Sequence, residues 1–370
     1  MYLHQHTSVP HFFTSPSSLS LERYQVFPLS AKPSVSSYSR SPLPVSSPLT
    51  ERSSPSTSER SLVSQSSSKP AVSSYSRSPL PTSSSLTEHS SQAAHFTRVL
   101  CVHFRGLLGN ELFEYASTLG LALTLKRTPV FLGSHKLRFA LKTFTDTSDS
   151  SSKFEHRCKN STRAHEESCC KFQERFTRLN SSQDFTVGIY LQSYRYFQHH
   201  EAEVRKALTF TDEVRNESEC VVRELRQKYN ASTLIGVHVR RGDMAHEPIK
   251  KLGFPQVSPD FLNRSMAFFR SRYPDCVFVV GGDSLQWCKD NVPSGHLVHY
   301  LTGHSPAVDM SVLSSMDHTV LTFGTFSWWI GFLNAGTTVF MKDFIVNGTV
   351  LARQFNPGGR DYVYPGWIPV

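Results

Sequence analysis

The chain has 370 residues, is 38% hydrophobic and 12% aromatic, and carries a formal net charge of +9 with a pI near 9.2. That length bounds it at two ordinary domains, or one domain with a tail. The positive balance suits nucleic acid, a membrane surface or an anionic small substrate, but no run of five or more basic residues occurs, which argues against a nucleic-acid-binding arm.

Residues 1–96 are rich in Ser and Pro and poor in large apolar side chains. The block "KPSVSSYSRSPLPVSSPLTERSS" from Lys32 returns as "KPAVSSYSRSPLPTSSSLTEHSS" from Lys69, a tandem duplication at an interval of 37 residues. Such a segment offers no face to bury and predicts a disordered spacer; an Arg/Ser segment for RNA is the weaker reading of "SYSRS". No stretch of about 18 apolar residues occurs, and "MYLHQHTSVPHFF" lacks a basic-then-apolar signal.

The character changes at Arg98. "RVLCVHF" predicts a buried strand, Gly106 and Gly109 a tight turn, and Leu108, Leu112, Tyr115, Leu119 and Ala122 recur at helical spacing before the strand "PVFLG". This is the opening of an α/β domain. Residues 146–184 are polar and read as loops. A second series starts near Leu234: strand "LIGVHV", helix "SPDFLNRSMAFFRSRY" capped by Ser258 with Pro259 in its first turn, strand "CVFVVGG", helix "DSLQWCKDNV", strand "LVHYL", helix "SPAVDMSVLSSM", strand "HTVLTFG", helix "TFSWWIGFLNAG" and a last strand "TTVFMKDF". Alternating elements with short apolar strands predict parallel sheets. The expected organisation is therefore a tail over 1–96 and two α/β domains, 97–228 and 229–370, facing across a cleft.

Seven Cys are present, with no C-x-x-C and no Cys/His zinc spacing, so a structural metal site is not expected. Six of the ten Asn, namely Asn160, Asn180, Asn216, Asn230, Asn263 and Asn347, sit in Asn-x-Ser/Thr. None lies in the Ser-rich tail, which points to exposure in the secretory pathway and makes disulfides plausible.

Ligands of open parallel sheets bind where strands end. Those ends carry His238, Arg240, Arg241 and Asp243; Gly281, Gly282, Asp283 and Ser284; and Gly324, Thr325, Phe326 and Ser327 at a helix start. Guanidinium groups, glycines, hydroxyls and first-turn amides are what a diphosphate requires. Asp309, on the preceding helix, offers a carboxylate that could pair with the two donors on one edge of guanine.

The segment "HVRRGD" resembles the signature of fucosyltransferases that use GDP-fucose, and "GLLGNELFEYASTLGLAL", "FVVGGDSLQWCKDNV" and "DHTVLTFGTFSWWIGFLNAGTTVFMKDF" are similar to segments of the α1,2 family, in the same order across residues 98–367. The resemblance implies a GT-B-like pair of Rossmann-type domains and an inverting transfer of fucose from GDP-fucose to the 2-hydroxyl of a terminal galactose. It implies no cofactor and no metal, consistent with the lack of any D-x-D, and Golgi localisation with membrane association. Carried onto this chain, Arg240 would hold the β-phosphate, His238 and Arg241 would shape the pocket and Asp243 would orient the arginines. Asp283 and Phe326 would belong to the same donor pocket. Asp309 would read guanine, Thr325 with its following amides would cap a phosphate, Ser327 of the donor pocket stands where the family usually has a small residue, and Gly109 and Asn110 would close the pocket from the other domain. Asp243, Glu247 and Glu114 are the candidates for the acceptor base. Glu111 stands where the family usually has an amide and would add negative charge near the cleft; Trp328 and Trp329 replace a smaller aromatic pair. A fucosyltransferase of another linkage, or a catalytically idle GDP-sugar or glycan binder, is the alternative.

Overall fold

A computed structural model describes residues 97–148, 152–231 and 233–370; the expected spacer, with its tandem block, lies outside the described residues. Four short strands, Val99–His103 (β1), Thr128–Leu132 (β2), Thr162–His165 (β3) and Phe185–Gly188 (β4), make one sheet in the order β2-β1-β4-β3. Six more, Leu234–Val239 (β5), Val277–Gly282 (β6), Leu297–Tyr300 (β7), His318–Leu321 (β8), Thr338–Phe340 (β9) and Ile368–Pro369 (β10), make a second in the order β10-β9-β8-β5-β6-β7. Every strand pair is parallel. Parallel neighbours cannot be joined by a tight turn, so crossover segments connect most of them.

Most of those crossovers are helical. In the first half they are Leu108–Leu125 (α1), His135–Ala140 (α2) and Ser152–Lys159 (α3), followed by Glu201–Ala207 (α4) and Asp212–Tyr229 (α5) leading to the second sheet. The second half uses Glu247–Lys251 (α6), Pro259–Arg270 (α7), Leu285–Asn291 (α8), Pro306–Ser314 (α9) and Thr325–Leu333 (α10). The start of α7 is chemically marked as expected, with Ser258 Oγ accepting the Phe261 N–H at 3.1 Å, and Ser305 Oγ caps α9 in the same way on Val308 at 3.3 Å. α5 is capped likewise by Thr211 and closes on Asn230 in the left-handed conformation.

The second series of elements lies where the sequence predicts it, and the paired parallel sheets are the α/β arrangement that the resemblance implies. Two expectations are corrected. Residues 146–184 are not simply loops, because they hold α3, β3 and a short 3-10 turn at Glu174–Arg178. β3 is a polar, largely exposed edge strand, and α3 is fixed by the Cys101–Cys158 disulfide rather than by an apolar stripe. The strand at Thr338 is also not the last, since Ile368–Pro369 pairs beyond it.

Strand order decides where a ligand can enter. In the second sheet the chain moves from β5 to β6 and β7 on one side, then crosses to β8 and β9 on the other, so the order reverses between β5 and β8. In the first sheet the same reversal falls between β1 and β4. Crevices open at the carboxyl ends of such switch points. One continuous apolar core serves both sheets, running from Leu100, Val102 and Phe113 through Trp328 and Trp329 to Val237 and Val279. The indole N–H of Trp329 donates to the Gly109 carbonyl at 2.9 Å, tying α10 to the first turn of α1.

Candidate active site

At the β5/β8 switch point the backbone and side chains interlock. The Arg240 N–H donates to Thr322 Oγ1 at 2.9 Å, and the Thr322 hydroxyl donates to the His238 carbonyl at 3.2 Å. The Arg240 guanidinium meets Asp243 through Nη2–Oδ2 at 2.7 Å and Nε–Oδ1 at 3.3 Å, with 23% of the arginine side chain exposed. Its stem runs over Gly324, the residue that starts α10: a methyl group at Gly324 would stand 3.0 Å from Arg240 Cδ. Gly324 also has φ 136, a backbone state that favours glycine. The guanidinium therefore lies beside the first-turn amides of α10, which have no acceptor within the helix.

His238 is buried behind that pair. Its Nδ1 lies 2.7 Å from Ser327 Oγ, and its ring stacks on Phe326 with centroids 4.9 Å apart. Burial, with Arg240 adding and Asp283 opposing, pushes its pKa down to about 4, so the imidazole is neutral at physiological pH. Asp283 accepts the N–H groups of both Arg241 and Gly242 on Oδ1, at 2.8 and 2.9 Å, and the Arg241 guanidinium lies 4.6 Å over the Trp287 ring. In this arrangement Asp283 holds the loop in shape, a tether the sequence reading did not anticipate.

The first sheet reaches the same place through α1. A methyl group at Gly109 would stand 2.6 Å from the Phe326 nitrogen and 2.8 Å from Thr325, so the two helix starts touch backbone to backbone. Asn110 Oδ1 accepts from the Thr325 hydroxyl at 2.8 Å and from Gln192 Nε2 at 3.3 Å. Gly109 is thus a close-approach residue inside α1 rather than part of the turn before it. The tryptophans fill an aromatic cluster with Phe113, Phe197 and Phe332.

The geometry gathers His238, Arg240, Arg241, Asp243, Asp283, Gly109, Asn110, Thr325, Phe326 and Ser327 and leaves three carboxyls outside that network. Glu247 is exposed on α6 and paired with Lys250 at 2.8 Å. Asp309 lies on α9, where burial first and Glu217 second raise its pKa to about 6, against an opposing effect of His304; its Oδ1 is buried without a hydrogen-bond partner. Glu114 is corrected as a base candidate: it is fully buried and accepts the Arg105 and Tyr190 N–H groups at 2.8 and 3.4 Å. Burial pushes its pKa to about 8, and no acceptor hydroxyl reaches it. Glu166, also buried and pushed upward, accepts the next amide, that of Leu191, at 2.9 Å. These two carboxyls hold a strained turn after β4, where Tyr190 and Leu191 adopt φ 63 and 48. The extra charge expected at Glu111 is neutralised by Lys136 at 2.7 Å, and the carboxylate also accepts the Ser134 hydroxyl at 2.6 Å.

Sequence reasoning missed Thr322, Trp287 and Gln192. Thr322 closes a strand end and could have been found by the same rule as its neighbours; Trp287 and Gln192 carry no local signal. All six Asn-x-Ser/Thr asparagines are exposed. Among the described residues no group of three or more His, Cys, Asp or Glu is arranged to hold a metal ion, and no helix is long and apolar enough to cross a membrane.

The sequence profile of glycosyl transferase family 11 matches residues 78–370. The galactoside alpha-(1,2)-fucosyltransferase 2 of Mus musculus is 32% identical over 183 residues, covering 48% of this chain and 52% of that protein. The enzyme of the same name from Pongo pygmaeus is 28% identical over 264 residues, 68% of this chain and 74% of its own length. Several such matches thus span about half the length of the curated relatives. Among solved structures, a point mutant of FUT1 of Arabidopsis thaliana in complex with GDP aligns with a TM-score of 0.42 at 14% identity, over 70% of this chain and 73% of that one. The fucosyltransferase NodZ from Bradyrhizobium aligns with a TM-score of 0.41 at 14% identity, over 63% and 91%.

Proposed function

The chain belongs to glycosyl transferase family 11, and on that premise we propose that it is a galactoside 2-α-L-fucosyltransferase, transferring fucose with inversion from GDP-β-L-fucose to a terminal galactose of a glycan. The observation that carries this reading is Arg240 lying against Gly324 at the start of α10. Breaking the bond between fucose C1 and the phosphate oxygen moves negative charge onto the β-phosphate. A fixed guanidinium and first-turn amides stabilise that charge most in the transition state, where it is largest. Asp243 holds Arg240 in register, and the stacked, uncharged His238 keeps the floor of the pocket dry. Arg241 and the Thr325–Ser327 turn surround the diphosphate, Asn110 closes it from the first sheet, and Asp309 on α9 is the carboxylate assigned to guanine.

In this reading arginine does the work that a divalent ion does in other transferases, so no metal and no cofactor is required. The base for the acceptor hydroxyl is Asp243, whose carboxylate is 30% exposed and stays paired with Arg240 throughout. Exposed Asn-x-Ser/Thr sites and the Cys101–Cys158 disulfide support a place in the Golgi lumen, with membrane association as in the family; nucleic acid is not a partner. The test is GDP release from GDP-fucose in the presence of a terminal β-galactoside, with linkage analysis of the product, in buffer containing EDTA. Metal-independent formation of an α1,2 product is expected. Another linkage would correct the acceptor, GDP-fucose binding without turnover would make the protein an idle binder, and a strict Mn²⁺ requirement would overturn the metal-free mechanism.

A further inference from the structure

We propose that the carboxyl ends of β1, β4 and β3 form an anionic subsite, in which His103, His165 and Arg163 receive a sulfate ester or carboxylate carried by the acceptor saccharide. The inference rests on the transferase reading above and names the chemical class of its acceptor.

Strand register places the three side chains together. Cys101 pairs with Thr186 on β4, and Thr186 with Arg163 on β3, so these three share one row. Two residues on, side chains return to the same face: His165 pairs with Gly188, and His103 follows in register on β1. The two imidazoles therefore rise about 10 Å apart on either side of a strand that has no side chain at that point. A methyl group at Gly188 would meet only His165 Nδ1, at 3.8 Å. α3 covers the earlier part of this face through Cys101–Cys158 and stops short of the end, where His103, Arg163 and His165 are all exposed.

The charge of this basin is unanswered. Arg163 has no carboxylate partner among the described residues. Burial first, then Arg163 and Arg105, press both imidazoles below their ordinary pKa. Among the described residues the one group opposing this is Glu155 of α3, which acts on His103 and is itself bonded to Lys159 at 2.8 Å. The basin also stands at the β1/β4 switch point, where a crevice is expected. That crevice adjoins the donor site, because β1 runs through Arg105 into α1, whose start touches α10.

The test compares binding of three oligosaccharides to the intact chain: a neutral terminal galactoside, its sulfate ester, and an analogue bearing a uronic or sialic carboxylate. Calorimetry gives affinity, and the imidazole signals of His103 and His165 report contact. At least one charged sugar is expected to bind about tenfold tighter than the neutral one, by an advantage that grows as pH falls from 7.5 to 5.5 and disappears in Arg163→Ala. Arg163→Ala, an exposed change, is checked for an unaltered melting temperature. The better of the two anions identifies the group. Equal affinity for all three sugars, or a preference that survives Arg163→Ala, overturns the proposal. Transfer of fucose to the neutral galactoside is measured alongside: turnover without anion preference sinks the subsite alone, whereas anion binding without transfer to any acceptor sinks the transferase reading and leaves the basin standing.

Discussion

The two switch points of this molecule treat positive charge in opposite ways. Between β5 and β8, Arg240 is held on two nitrogens by Asp243, its backbone is fixed by Thr322, and Arg241 is laid on Trp287. Beside the β1/β4 switch point, the exposed Arg163 of β3 has no acidic partner among the described residues, while the carboxyls Glu114 and Glu166 are buried nearby and hold backbone amides. A cation that must take up charge at the moment of bond cleavage gains from being fixed in advance. A cation that selects among incoming ligands loses little by staying in water, where it attracts them from a distance. The sheets also differ in how they are secured: the four-stranded one is stapled by Cys101–Cys158, whereas Cys276 and Cys288 in the larger half are buried free thiols.

The largest effect tests that staple. The bridge closes a sequence separation of 57 residues, and replacing both Cys101 and Cys158 by Ser should cost about 4 kcal/mol. Protection from hydrogen exchange should fall on β1 and β2 while β5 and β6 keep theirs; an unchanged melt would mean that the smaller sheet needs no covalent support. Next comes the joint between the halves. Gly109→Val forces side-chain carbons into the Phe326 backbone and should destabilise by about 2–3 kcal/mol, with a matching loss of GDP affinity, read by thermal melts with and without nucleotide. A neutral result would separate the two helix starts.

Glu114→Gln sharpens the comparison with the opposite sign. In the fold this carboxyl keeps its proton to about pH 8, whereas the unfolded chain releases it near 4.5. The unfolded state therefore binds fewer protons between those values, and stability falls as pH rises through that window. The variant should lose that pH dependence, its stability relative to the parent rising by on the order of 4 kcal/mol between pH 4.5 and pH 8, as measured by urea unfolding; it starts below the parent at pH 4.5, because the amide nitrogen cannot accept the backbone N–H that a carboxyl oxygen accepts. A variant whose stability falls with pH in parallel with the parent would mean that Glu114 does not hold its proton in the fold. The smallest effect belongs to Glu247→Gln: an exposed carboxylate paired with Lys250 should change kcat less than about threefold, and a loss of a hundredfold would restore it as the base.

The fold was legible wherever burial is symmetric. Strands covered on both faces, such as "LIGVHV" and "CVFVVGG", must be apolar throughout, and Ser-Pro pairs announce α7 and α9. It was illegible where tertiary partners replace periodicity. The edge strand β3 has no buried face to declare it, and α3 is positioned by a sulfur bridge to a residue 57 positions away. The site follows the same division. Arg240, His238 and Thr325 stand at strand ends and could be found by position. That Asp283 tethers the Arg241–Gly242 amides, or that Gln192 joins Asn110 across 82 residues, depends on contacts that no local pattern encodes. Glu111 and Glu114 show the limit most plainly: both are acidic residues of the first turns of α1, yet one is neutralised by Lys136 and the other by its own proton.

The most direct test of the account is calorimetric titration of GDP into the parent chain and into Arg240→Ala, with thermal melts to verify that both are folded. The account predicts a folded variant whose GDP affinity falls by at least tenfold, about 1.4 kcal/mol. Equal affinity in the two proteins would contradict it.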